Sequence, residues 1–330
     1  MIMSKGINIG VIGCAGVADR FVVPAIKSLA DQYSLIGIAS RNETKAQQFA
    51  VKFDTQAYFG YDSLLESEQL DAVYIPLPNS MHREWIEKAL HRNLHVLVEK
   101  SLACTYEEVL HLNMLAKRKH LALVENFQFR FHSQLATIRQ ILCDGVIGEL
   151  RCLRSSFGFP PFPDLDNIRY QKELGGGALL DAGAYVIKIA QYFLGYDLAV
   201  AAANLTFDPE RKVEIWGGAY LKQNHGVSFA EIAFGFDNFY QCNLDLWGSK
   251  GKIYTNRIFT APPGYAPEIV LETSSGKETI KLEPDHHFEN MLRHFYQIIT
   301  SGKGMETEYT QNINQGRLIE ELRGKANEKQ

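Results

Sequence analysis

Residues 94–102 read Leu94-His95-Val96-Leu97-Val98-Glu99-Lys100-Ser101-Leu102. Val96, Leu97 and Val98 form a short, largely β-branched apolar run, the pattern of a strand buried on both faces of a parallel sheet. The run stops at Glu99 and Lys100. Open α/β sheets place their ligand crevice at the carboxyl ends of the strands. A lysine taken from water at such a place is costly without a partner or a task. The plainer reading is a strand end whose charges reach water, and the rest of the chain decides between the two.

Upstream, a strand pattern at 7–12 runs into Gly13-Cys14-Ala15-Gly16-Val17-Ala18 and a helix-compatible stretch to residue 29. Strand, glycine turn and helix are the context of a dinucleotide site, where backbone approaches a pyrophosphate at a helix amino terminus. The usual G-x-G-x-x-G/A is imperfect, because Ala15 holds the second glycine position. The next strand, 34–39, ends in Ser40-Arg41, with Lys45 one turn further on. No acid is placed to hold a ribose 2′-hydroxyl, and a guanidinium suits a phosphate dianion. NADP(H) is therefore expected over NAD(H).

A buried strand at 71–77 ends in Pro76-Leu77-Pro78-Asn79, whose prolines stop it and stiffen the loop. A helix follows at 80–93. His82, near its start, is either a cofactor contact or a helix-terminal surface histidine. Thr105 with Glu108 predicts a capped helix over 106–119, and 121–125 is one more strand. Alternating strands and helices predict a doubly wound parallel sheet, a Rossmann domain over 1–125. The cofactor set is Gly13, Cys14, Ala15, Gly16, Val17, Ala18, Ser40, Arg41, Lys45, Pro76, Leu77, Pro78, Asn79, His82 and Glu99.

The second half, 126–330, changes character. A strand at 150–159 alternates as if one face were exposed. Seven more follow between 199 and 282, and helices return only near 287–300 and 310–323. An α+β domain with an open-faced, mostly antiparallel sheet is expected. Before that sheet comes a glycine run, Gly175-Gly176-Gly177, which allows close approach of backbone to a ligand or to another segment. The helix after it sets Asp181, Tyr185 and Lys188 on nearly one face, at spacings of four and three residues. A carboxylate, a phenol and an ammonium there suit proton handling; a surface ion-pair face is the alternative.

Composition excludes several classes. Hydrophobic residues make up 46% and charged residues 22% of 330, as in ordinary globular proteins, and the net charge of −4 offers no basic surface for nucleic acid. Five scattered cysteines without a CxxC fit neither a disulfide framework nor a structural zinc site, and no metal is expected. His286, His287 and His294 lack supporting ligands and read as helix-start and surface residues. The amino-terminal MIMSKGINIGVIG lacks a signal-peptide apolar run, and no stretch reaches membrane-spanning length, so a cytoplasmic location is expected.

Taken together, GCAGVA at 13–18, Ser40-Arg41, YIPLPNSMH at 74–82, EKSL at 99–102 and the stretch 175–188 resemble the Gfo/Idh/MocA oxidoreductases along essentially the whole chain. The resemblance implies a Rossmann domain followed by an open-faced sheet, often used for homodimers or homotetramers. It implies that Lys100 sits by the nicotinamide and the substrate oxygen. Two departures stand out: Ser101 replaces the proline of the family's EKP, and Tyr185 and Lys188 replace its histidine and aspartate. A tyrosine there resembles the sugar-nucleotide 3-ketoreductase branch. That branch implies reduction of a keto-sugar carbonyl by NADPH, with Lys100 and Tyr185 catalytic and a sugar or nucleotide-sugar substrate. It implies substrate contacts at Lys100, Asn126, Arg169, Asp181 and Tyr185, and a nucleotide-linked substrate would need a diphosphate site, for which Arg130, His132, Arg154 and Arg169 are candidates. A dehydrogenase or reductase of a free sugar, anhydrosugar or polyol is the enzymatic alternative, and an NADP-binding regulatory protein the non-enzymatic one.

Overall fold

The computed structural model describes residues 6–328; the amino-terminal reading of residues 1–5 lies outside them. The chain forms two compact units, one of residues 1–126 and 288–313, the other of 127–287 and 314–330.

The first unit holds β1 (Ile7–Ile12), β2 (Tyr33–Ser40), β3 (Gln56–Phe59), β4 (Ala72–Ile75), β5 (His95–Glu99) and β6 (Leu123–Asn126) in one sheet, ordered β3-β2-β1-β4-β5-β6. All its pairings are parallel. The order reverses between β1 and β4, and at such a switch point a doubly wound sheet opens its crevice. Helices α1 (Val23–Ser28), α2 (Glu43–Phe53), α3 (Tyr61–Leu65), α4 (Asn79–His91) and α5 (Tyr106–Lys119) link the strands. Thr105 and Glu108 close the expected capping box on α5. Ile9, Val11, Val73, Ile75, Val96, Val98 and Leu123 are fully buried, so burial on both faces explains their unbroken apolar runs.

Residues 288–313, expected with the second domain, belong to the first unit. Phe288 stacks on Phe21 with ring centroids 4.9 Å apart. Tyr33 donates its hydroxyl to Leu292 O at 2.6 Å, and Tyr309 donates to Leu121 O at 2.6 Å. Burial pushes both phenols up, that of Tyr309 to about 12.

In the second unit, α6 (Ser133–Cys143) precedes β7 (Leu150–Gly158), and α7 (Ala184–Leu194) precedes β8 (Leu198–Phe207), β9 (Glu214–Gln223), β10 (Phe229–Gly235), β11 (Gln241–Gly248), β12 (Gly251–Asn256), β13 (Glu268–Thr273) and β14 (Gly276–Lys281). The eight strands order as β14-β13-β12-β11-β7-β10-β9-β8. Only β7 and β10 pair in parallel; the other neighbours are antiparallel. Strand β7 is thus central rather than peripheral. Helix α7 packs on β7 and β10, where Leu153, Ile232, Phe234 and Leu244 are buried.

Helix α8 (His287–Ser301) and helix α9 (Met305–Asn327) close the chain. Helix α9 starts earlier than expected, just past Gly304, whose φ of +96° sets the break from α8. His287 begins a helix as expected, but it is not a surface residue. It is buried edge-on against buried His132, ring centroids 5.7 Å apart. Burial, with His132 and His286 nearby, lowers its pKa to about 3, against an opposing pull from Asp285.

A folded-state pKa below the unfolded value means that the unfolded chain binds more protons as pH falls below about 6.5, so stability is lost on acidification. Urea unfolding at pH 7 and pH 5 should therefore differ, with His287 alone contributing about 2 kcal/mol of loss at pH 5. A His287→Asn variant should show a shallower pH dependence than the unaltered protein. Equal slopes would contradict a neutral, buried His287.

Candidate active site

At the end of β1, Gly13 has φ +122°, and a Cβ there would lie 2.8 Å from a Leu77 methyl. The protein itself thus demands glycine at this position. Gly16 differs: a Cβ there would meet nothing nearer than Arg20 at 3.7 Å, so nothing within the chain requires its small size. Gly13 N donates to Ala39 O at 2.9 Å, which ties the turn to the end of β2. Cys14 Sγ lies 3.8 Å from Lys45 O, and Ser40 hydrogen-bonds the same thiol. Burial pushes the Cys14 thiol up. Asn42 caps α2 by accepting from Lys45 N at 2.9 Å. Arg41 is exposed and hydrogen-bonds Tyr61. The start of the turn at Gly13 and Cys14 is thus tied to the end of β2 and to the first turn of α2. Room for a side chain at Gly16, with Arg41 and Lys45 following β2, fits a phosphorylated dinucleotide.

The loop after β5 is held by side chains from three elements. Ser101 N donates to Asn79 Oδ1 at 3.1 Å, and Leu102 N donates to Glu125 Oε1 at 2.8 Å. His82 Nδ1 lies 2.7 Å from Ser101 O, and its Nε2 lies 2.8 Å from Leu77 O. The Lys100–Ser101 peptide is cis although residue 101 is not proline. His82 is a correction to both expectations, since it is neither a cofactor contact nor a surface residue. It is fully buried with both ring nitrogens on backbone carbonyls, so it joins the 77 and 101 loops instead. Burial pulls its pKa to about 4, against the two carbonyls.

Glu99 accepts from Tyr74 Oη at 2.6 Å and from Asn126 Nδ2 at 2.7 Å, both on Oε1. Burial raises its pKa, while these two donors and the Lys100 charge oppose the rise. Glu99 is half-buried next to Lys100 in the chain, with its Oε1 taken by these two donors. Asn126 is a second correction: it is fully buried with its amide on Glu99, a support of the lysine rather than a substrate contact.

In the second unit a π-turn, Leu179–Gly183, precedes α7 and carries Asp181. Arg169 Nε donates to Asp181 Oδ2 at 2.6 Å, and its guanidinium lies 4.7 Å from the Phe162 ring centre. The Asp181 carboxylate raises the Arg169 pKa, and Arg169 is also coupled electrostatically to Tyr185. Tyr185 is buried among Phe127, Phe129, Phe157 and Phe259, with centroids 5.2–5.7 Å away. Its hydroxyl donates to Gln128 Oε1 at 3.4 Å. Lys188 is buried, with Nζ 5.0 Å from the Phe127 ring centre, so the alternative of a surface ion-pair face does not hold for it. The glycine run serves the chain itself, since a Cβ at Gly176 would lie 2.6–2.8 Å from the carbonyls of Arg169, Ile168 and Gln171.

Of the other diphosphate candidates, His132 is buried and accepts from Gln134 N at 3.2 Å, so it caps α6. Arg154 pairs with Glu231 at 2.6 Å on the sheet. Sequence reasoning missed Tyr74, Glu125 and the aromatic enclosure of Tyr185. A phenol inside the apolar run of β4 was the available signal, because a buried hydroxyl needs a partner. Among the described residues, no three His, Cys, Asp or Glu side chains are grouped to hold a metal ion.

Residues 7–127 match the oxidoreductase family with an NAD-binding Rossmann fold, and residues 135–254 match the GFO/IDH/MocA C-terminal domain. The chain is 40% identical over 304 residues to the dTDP-3,4-didehydro-2,6-dideoxy-alpha-D-glucose 3-reductase of Saccharopolyspora spinosa, covering 92% of this chain and 91% of that protein. It is 38% identical over 320 residues to the protein of the same name from Streptomyces antibioticus, covering 97% of each. The crystal structure of KijD10, a 3-ketoreductase from Actinomadura kijaniata in complex with NADP and TDP-benzene, superposes with a TM-score of 0.93 at 38% identity, over 97% of this chain and 98% of that one. On the strength of both matched regions and these near-full-length likenesses, the chain belongs to the Gfo/Idh/MocA oxidoreductase family.

Proposed function

We propose that the protein reduces a keto group of a nucleotide-linked deoxysugar with NADPH. Tyr185 carries the reading. It is a phenol coupled to Arg169, standing where family members that oxidise alcohols are expected to use histidine. Likeness to 3-ketoreductases along nearly the whole chain supports the same substrate class.

Arg41 and Lys45 would meet the ribose 2′-phosphate, and the 13–18 turn would meet the pyrophosphate. The bound nicotinamide supplies hydride to the carbonyl carbon. The chain's own task is to manage the charge that then grows on oxygen. Lys100 offers its ammonium to that oxygen, and Glu99 fixes where the ammonium points. Tyr185 delivers the proton that completes the alcohol; its aromatic enclosure keeps water from competing. Asp181 and Arg169 hold each other, so either one reaches a sugar hydroxyl or phosphate only in a pre-oriented pose.

The outer face of the eight-stranded sheet suits a second copy of the chain. Trp247 is 52% exposed there, with the Arg154 guanidinium 5.5 Å from its ring centre. The Tyr220 and Phe229 rings pack against each other, tilted, with centroids 5.1 Å apart. A homodimer or homotetramer through this face is the assembly we propose. No described helix is long and apolar enough to cross a membrane, and a cytoplasmic enzyme is our reading.

NADPH consumption against a panel of keto-sugars, with and without an attached nucleoside diphosphate, tests the substrate. Turnover confined to free keto-sugars would overturn the nucleotide-linked assignment. Lys100→Ala and Tyr185→Phe should each lower kcat about a hundredfold or more. NADPH affinity by tryptophan fluorescence should change little in either. Arg41→Asp should weaken NADPH binding about tenfold or more while leaving NADH binding nearly unchanged; equal losses for both cofactors would remove Arg41 from the phosphate site.

A further inference from the structure

Tyr74 lies in the middle of the sheet and is fully buried. It pairs in register with Leu97 on β5, and its hydroxyl passes beyond the apolar layer to Glu99 Oε1, 2.6 Å away. On the opposite side β6 pairs Asn126 with Glu99, and Asn126 Nδ2 reaches the same oxygen at 2.7 Å. One carboxylate oxygen is thus gripped by donors from both neighbouring strands. Two donors on one oxygen favour the anion, because hydrogen bonds donated to a carboxylate stabilise its charged form. Charge-assisted bonds of this length are the stronger kind. The adjacent charge is Lys100, one residue on, and it is electrostatically coupled to Glu99.

We propose that Tyr74 is a positioning residue, which with Asn126 locks Glu99 as an anion beside Lys100 and so fixes the charge and direction of the lysine. Tyr74 itself touches neither reactant. A tyrosine that merely filled the core would be replaced by phenylalanine at little cost, because the ring would stay. A positioning tyrosine would not, because its hydroxyl is what opposes the desolvation of Glu99. The groups that could mask the effect are Lys100, Tyr74 and Asn126 beside Glu99, and His82, whose pKa burial holds at about 4 and which interacts with the Lys100 charge.

This inference rests on Lys100 being the catalytic ammonium of the proposed reaction, so its test is read without substrate or cofactor. Lysines are reductively methylated with carbon-13 formaldehyde, and the Lys100 signal is assigned by its loss in Lys100→Arg. Its chemical shift is then followed from pH 4 to pH 10. In Tyr74→Phe the inflection from Glu99 should move upward by about one pH unit. Asn126→Leu should move it the same way, which keeps the question open to test should the first variant fold poorly. Tyr33→Phe, which removes a hydroxyl bonded elsewhere, should leave it in place. An inflection unmoved in both Tyr74→Phe and Asn126→Leu would overturn the proposal, whatever the assays on keto-sugars show. With a substrate in hand, Tyr74→Phe should move the acid limb of the kcat profile upward and leave the NADPH KM unchanged.

Discussion

Beyond the last ladder bond of β5, the backbone is held by side chains. Asn79 takes the Ser101 amide, His82 takes the Ser101 carbonyl, and Glu125 takes the Leu102 amide. Parallel strands buried on both faces leave no room for polar groups along their length. Every group that must meet a ligand is therefore crowded into the few residues past each strand end. That crowding would be disordered without partners, because buried amides and carbonyls left unmade cost more than the bonds gain. Three side chains from α4 and β6 supply those partners, and Lys100 inherits a fixed origin from them.

The second unit solves a similar problem by other means. Tyr185 is held among rings. Four phenylalanines surround it, and edge and tilted contacts of this kind are worth about 0.5–1.5 kcal/mol each beyond their buried area. Rigid aromatic walls hold the side chain in place while its hydroxyl donates to Gln128. The Arg169–Asp181 pair then brings a cation close without exposing it fully to water. Charge, ring and hydroxyl are each anchored from a different segment, and the glycine run makes this possible by letting those segments pass at backbone distance.

Period and punctuation made much of this legible. The apolar runs of β1, β4 and β5, the turn at Gly13 and the Thr105–Glu108 cap were readable because each depends on neighbours in sequence. Eight strands of the second sheet were readable from alternation, yet the centrality of β7 was not, because pairing order is set by contacts far apart in the chain. His82 and Asn126 were misread for the same reason: a histidine or asparagine beside a motif looks like a ligand contact until its distant partner is known. The reading of His287 failed on burial, which no local pattern revealed.

The first unit closes with residues taken from the far end of the chain. Tyr33 finds its carbonyl at residue 292, and Leu121 receives its hydroxyl from Tyr309. A ribosome delivers residues in order, so the parallel sheet leaves the exit tunnel long before these partners do. Domains generally fold as units during synthesis, amino-terminal first, but this one waits for the whole intervening sheet domain to be made. The nascent chain therefore carries an incompletely covered sheet through most of its translation, the interval in which exposed apolar surface leaves it most open to misassociation.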